Sequence, residues 1–302
     1  SLVNWAFTAR LVRSKLPDVS IRLRYFSRGE AKSTLKLSMA FVAGNLSALI
    51  NSRIDAFVLQ ALVGLHAVAL YALAARLADN LILLTKQFIH ALSPAAAERT
   101  GSDDAEGVRV LALRGTKYAL AITLPAVVPL LILGQPLIET WIGSEFSGSH
   151  APLRILVLGV ALSVVWLQAS GVLAMIGHHR FDAGTALAAA GTNLALTIHL
   201  AYYLGVVGAA LGSLLSVAIV GLGVSVPRMI RATELTVGRY LREAIWPALP
   251  PILPAAAAGV AMRYLLPPTH LVWVGLQAMV TAGLYAGAFL WWSTDPEEKK
   301  LV

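Results

Sequence analysis

Cysteine is absent from the 302 residues, and charge is scarce, with only 13% of positions Asp, Glu, Lys or Arg. The first absence excludes disulfide frameworks, thiolate zinc and iron–sulfur sites, and cysteine nucleophiles. The second excludes a water-soluble globular domain, in which about 25% of residues are charged. Also missing are G-x-x-x-x-G-K-[ST], G-x-S-x-G and H-E-x-x-H, as is any pair of neighbouring carboxylates inside an apolar stretch. The chain is therefore read as no enzyme and as needing no cofactor or metal. What it has in abundance is hydrophobicity, at 57% apolar residues and a mean hydropathy of +0.71.

A bilayer core needs about 20 apolar residues per helix. Eight such stretches stand out, at 37–59, 67–91, 118–138, 154–176, 183–204, 208–227, 244–266 and 271–292. They are continuous and long, whereas barrel strands alternate and are shorter, so the expected fold is an all-α polytopic membrane bundle. The basic residues then read as topology signals. Connections on one side hold nineteen, among them Arg10, Lys32, Arg109, Arg180 and Arg228, and those on the other hold only Arg154 and Arg263. The positive-inside rule makes the first side cytoplasmic. A net charge of +8 is thereby explained without nucleic acid. Tyr202 and Tyr203 fall at an outer boundary, and Trp291 and Trp292 at an inner one, where amphipathic rings anchor to lipid headgroups.

The first nine residues, SLVNWAFTA, are apolar and run into Arg10, Arg13 and Lys15. The charges follow the apolar run instead of preceding it, which is the reverse of a signal peptide. The expectation is a fragment that begins inside a helix of a longer protein. The chain is divided accordingly: 1–36 as the end of a preceding helix plus a basic linker, 37–227 as a six-helix lobe, and 228–302 as a terminal helix pair and tail.

Charges inside spans are costly and mark partners or watery cavities. Arg76, Asp79, Asn80, Lys86 and His90 fall within an arc of roughly 120° on the second span, at about 100° per residue. On the first span Asn45, Asn51, Ser52 and Asp55 share one side, with Arg53 somewhat off it. One reading makes Arg76, Arg53, Lys86, Asn80 and Asn45 the wall of a cavity that accepts an anionic substrate. The plainer reading pairs Arg76 with Asp79 and lets Arg53 and Lys86 snorkel to the surfaces. Asp55, Asp79 and His199 are the candidate charge partners or ion-coupling groups; His199 shares its span with Asn193 and Thr197 and suits a proton relay or an interhelical hydrogen bond. His178 and His179 read as a solvated turn, Pro247, Pro250, Pro251 and Pro254 as a break in the seventh span, and the glycines after 205 as close-packing positions.

Several strings recur in a known family. Asp55 with Gly64, then Tyr71-Ala72-Leu73-Ala74-Ala75-Arg76-Leu77 and Leu92-Ser93-Pro94, are similar to the seventh and eighth helices of bacterial polysaccharide flippases. These belong to the multidrug/oligosaccharidyl-lipid/polysaccharide exporter superfamily. Pro136-Leu137-Ile138, Trp141-Ile142-Gly143, Phe146, Gly177 with Arg180, Asn193 and Gly205 to Gly212 continue the resemblance. It implies the second lobe of a two-lobe inverted-V transporter plus helices thirteen and fourteen, with the first lobe absent. It further implies a bacterial inner-membrane flippase that moves undecaprenyl-diphosphate-linked oligosaccharide outward; the membrane potential together with H+ or Na+ is the expected drive for alternating access. Only Asp55 and Arg76 match positions associated with that family's polar lumen. On this view the 302 residues alone would not transport without a first lobe. The alternatives are a drug or metabolite cation antiporter of the same superfamily and a non-transporting membrane scaffold.

Overall fold

The structure is a computed structural model and describes residues 27–97 and 105–293, with some side chains of the first two helices left out. It divides into two compact units, Ser1–Ala43 and Gly44–Val302. The described part of the first is helical. Every element of the second is also helical, with no strand among the described residues. Hydrocarbon offers no partner to a bare backbone amide, so a chain this apolar must satisfy its backbone within each segment, and the helix does so.

In chain order the main helices are α1 (Arg28–Leu62), α2 (Leu65–Ala97), α3 (Ala105–Trp141), α4 (His150–Met175) and α5 (His179–Ser216). A π-helical stretch, Val217–Ser225, carries α5 into α6 (Val226–Ala232). The short α7 (Val237–Tyr240) precedes the terminal pair α8 (Ile252–Leu265) and α9 (Leu271–Trp292). Among the described residues six stretches are long and apolar enough to cross a membrane. One of them, His179–Ala232, holds two of the expected spans, because Gly205 breaks α5 with φ 56° and ψ −129°. A side chain resists that backbone conformation, and glycine does not. Helices also outrun the expected spans: α3 starts at Ala105, ahead of 118, and takes in Arg109, Arg114 and Lys117, with Lys117 buried.

The core centres on α4, whose Leu153, Val157, Val160, Val164, Val172 and Leu173 are all buried against neighbouring helices. Prolines break the helices at points where other side chains repair them. Pro136 has no N–H, so the Ile132 carbonyl loses its helical partner; the Arg263 guanidinium donates to that oxygen and to Gln135 Oε1 at 3.2 Å. The expected break in the seventh span is present as well, as a π turn (Leu241–Ile245) and a 3-10 turn (Trp246–Ala248) before α8. Pro251 frees the Pro247 carbonyl, which accepts from Ser293 Oγ, and Tyr285 Oη donates to Ala248 O at 2.8 Å. Gln277 Nε2 donates to Leu266 O at 2.6 Å, just before Pro267. Side chains of α9 and Ser293 just past it thus complete the backbone on either side of α8.

At the other end, Arg109 Nε donates to Thr233 O at 2.9 Å, and its guanidinium pairs with Glu106 at 3.2 Å and with Glu234. Thr116 and Tyr240 hydroxyls meet at 3.0 Å. These bonds fasten the loop that leads to the terminal pair onto α3.

Candidate functional site

Two polar assemblies meet on α2. The first is buried. Asp55, 5% exposed on α1, receives a hydrogen bond from each of four side chains. Tyr71 of α2 donates its hydroxyl to Oδ2, and Ser213 Oγ donates to the same oxygen at 2.9 Å. On Oδ1, Thr197 Oγ1 donates at 3.0 Å and Asn193 Nδ2 at 3.3 Å. An ionised carboxylate offers about four lone-pair positions, so these four donors saturate it. Asn193 Oδ1 is a second acceptor for the same hydroxyls, 3.2 Å from Thr197 Oγ1 and 3.3 Å from Ser213 Oγ.

Local sequence explains how the donors converge. Asn193 and Thr197 are four residues apart on the first arm of α5 and share a face. The chain then reverses at Gly205 and brings Ser213 back beside them. The two arms pack with almost no separation: a Cβ on Gly208 would lie 2.0 Å from Leu200 O, and one on Gly212 would lie 2.8 Å from Thr197 N. This is the small-residue helix contact of membrane bundles, and it brings Ser213 within reach of Asp55.

The second assembly is open. Tyr71, Ala74, Ala78, Leu81 and Thr85 form the buried face of α2, and Arg76, Asp79, Asn80 and Lys86 are exposed on the opposite face. Thr85 Oγ1 meets Thr123 Oγ1 of α3 at 3.0 Å, which pins the buried face a second time. The candidate residues of the sequence reading therefore separate. Asp55 is buried among neutral donors and does not share a surface with Arg76. His199 is exposed and turned from Asp55, with its ring against Tyr203 at 5.3 Å. Asn45, Asn51, Ser52, Arg53 and His90 lie outside the described residues as far as their side chains are concerned. Asn193 and Thr197 join Asp55, whereas Tyr71 and Ser213 were not singled out as site residues. Ser213 had a signal in the Gly208 to Gly212 spacing just before it; Tyr71 reads in sequence as one more apolar ring.

Beside α2, an open groove of about 490 Å³ runs between α3 and α9, lined by Leu81, Ile122, Pro129, Leu133, Val274 and Met279 among other apolar residues. Among the described residues no cluster of three His, Cys, Asp or Glu side chains could hold a metal ion.

Comparison with known proteins bears on this arrangement. Residues 15–151 match the family model described as polysaccharide biosynthesis protein. A solved structure of the lipid II flippase MurJ in its inward closed conformation has the same fold, with a TM-score of 0.61 at 17% identity. That match covers 93% of this chain and 57% of the MurJ chain, so the chain spans little more than half of that flippase. No curated protein matches the sequence. The resemblance to a polysaccharide biosynthesis family is shared by the family model over residues 15–151, and the all-α membrane bundle stands.

Proposed function

We propose that the chain is the second-lobe portion of a membrane flippase that moves an undecaprenyl-diphosphate-linked oligosaccharide from the inner to the outer leaflet for cell-surface polysaccharide synthesis. The observation that carries this reading is the exposed face of α2, where Arg76 and Lys86 lie on a helix long and apolar enough to cross a membrane. An unpaired diphosphate cannot enter hydrocarbon cheaply. Guanidinium groups neutralise it with bidentate hydrogen bonds. In this reading the face of α2 meets a preceding lobe across a central cavity, and the apolar groove beside α3 and α9 receives the polyprenyl chain. The family match over 15–151 and the MurJ-like fold support it.

The Asp55 cage is the coupling site of the proposal. Its oxygens come from a carboxylate, a carboxamide and three hydroxyls, a donor set that suits a proton or a hard monovalent cation such as Na+. Hydroxyl groups can turn their protons aside and offer lone pairs instead. Binding of the cation and of the lipid-linked anion then drive one lobe against the other in alternating access. Outward movement of the anion is also favoured by the membrane potential, by about 2.3 kcal/mol per charge per 100 mV. The residues placed in this role are Arg76, Asn80 and Lys86 toward the substrate, with Arg53 and Asn45 as further members, and Asp55 toward the ion. The membrane is the bacterial inner membrane.

The test is complementation of a strain that lacks its polysaccharide flippase, using the gene that encodes the chain. Restored surface glycan supports the reading. Failure with several glycan systems, together with raised resistance to cationic dyes, would replace it with a cation antiporter.

A further inference from the structure

We propose that Tyr71 is the residue through which occupancy of the Asp55 carboxylate is passed to α2 and hence to its Arg76 face. The inference rests on the ion-coupling reading of Asp55 and adds the part that moves. Of the four donors to the carboxylate, Asn193, Thr197 and Ser213 all belong to α5, and Tyr71 alone belongs to α2.

The hydrogen-bond inventory decides which donor gives way. A cation on the carboxylate needs lone pairs that four donors now occupy. Thr197 and Ser213 can rotate their protons onto Asn193 Oδ1, 3.2 and 3.3 Å away, and stay satisfied while turning lone pairs inward. Tyr71 has as its other acceptor Ser213 Oγ at 3.5 Å, a longer contact than those open to the α5 hydroxyls and one made to an oxygen whose lone pairs the cation itself would engage. Its phenol proton is the one displaced when the cage fills.

The packing of α2 converts that displacement into movement. Two polar pins hold its buried face: Tyr71 to Asp55 at one end, and Thr85 to Thr123 at the other. They stand fourteen residues apart, about 21 Å along the helix. Between them the buried face is mostly Ala74 and Ala78, small side chains that interlock little with a neighbour. With the Tyr71 pin released, α2 pivots at Thr85, and Arg76, five residues from Tyr71 on the opposite face, moves with it.

The absence of cysteine makes a direct test available. Leu83, exposed on the Arg76 face and not part of either assembly, is replaced (Leu83→Cys) and labelled with an environment-sensitive fluorophore in the 302-residue chain in lipid nanodiscs. The same reporter is placed in Tyr71→Phe and Asp55→Asn backgrounds. NaCl is titrated against choline chloride at fixed pH, and pH is titrated in choline; sodium binding is measured by calorimetry and proton binding by uptake in weak buffer. Among the described residues the four side chains bonded to Asp55 include one titratable group, Tyr71, and Asp79 of α2 is the further carboxylate that acts on that tyrosine. His66, Asp79 and His199 are present in every background, so the difference from Asp55→Asn isolates the carboxylate.

With Tyr71 present, one of the two cations is expected to bind and change the label. Asp55→Asn should lose both signals. Tyr71→Phe should bind at least as tightly, since a competing donor is gone, yet lose the label response. A label response in Tyr71→Phe equal to that of the Tyr71 chain would overturn the proposal, as would loss of binding together with response. Cation binding with no label change even when Tyr71 is present would defeat it and leave the ion site standing. No cation binding in that chain at all would defeat the ion-site reading, and the proposal with it.

Discussion

Both faces of α2 carry polar groups and treat them oppositely. On the buried face, Tyr71 and Thr85 each meet a hydroxyl or carboxylate of another helix. On the other, Arg76, Asp79, Asn80 and Lys86 stand exposed along a span that must sit among lipids or other helices. Polar groups that hold a membrane bundle together have their bonds made inside it, whereas groups kept to meet a substrate must leave theirs unmade. The difference predicts that changes to the second face act on transport with the fold intact, whereas changes that empty the buried cage also act on folding.

Substitutions that split the α5 hairpin should cost most. Gly208→Ala places a methyl against the Leu200 carbonyl, and backbone cannot step aside as a side chain can. The arms must part, and Ser213 leaves Asp55. Loss of the folded, monodisperse protein in detergent is the expected readout, with overpacking alone costing about 1–3 kcal/mol. Next comes Asp55→Ala, which strands four donors in the interior. A bond to a charged group contributes about 1.5–3 kcal/mol, and donors that relax toward one another recover part of that, so a net loss of about 3 kcal/mol is expected in thermal unfolding. Asp55→Asn should lose less, because a carboxamide still accepts.

Arg263→Ala should rank third. It leaves the Ile132 carbonyl, already deprived of its helical partner by Pro136, without a donor. The expected cost is about 1–2 kcal/mol, with increased hydrogen exchange near Pro136 as its local sign. His199→Ala, at an exposed side chain whose ring lies edge-on to Tyr203, should shift stability by less than about 0.5 kcal/mol and leave the Asp55 cage intact. A large effect there would mean that the histidine has a partner in the assembled transporter.

How far the sequence foretold this depends on the range of the signal. The α2 stripe was legible because helical periodicity is local, and Arg76, Asp79, Asn80 and Lys86 do share a face. The break at Gly205 and the proline-disrupted seventh span were legible for the same reason, since glycine and proline act on their own backbone. The cage was not. Asp55 meets Tyr71 across 16 residues, Asn193 across 138 and Ser213 across 158, and no periodicity links them. Asp55 had been grouped with its own helix neighbours, whereas the bundle turns it toward α5. An apolar stretch that begins at 118 leaves Lys117 outside the expected span; α3 instead extends past its apolar stretch and buries that residue.

The most direct test of the account is Arg76→Ala, with surface glycan and membrane abundance of the protein measured in the same cells. The account predicts unchanged abundance and lost glycan, because this arginine serves the substrate and not the fold. Full glycan export at normal abundance would contradict it, and so would a fall in abundance that matches the fall in glycan, since Arg76 would then be a structural residue.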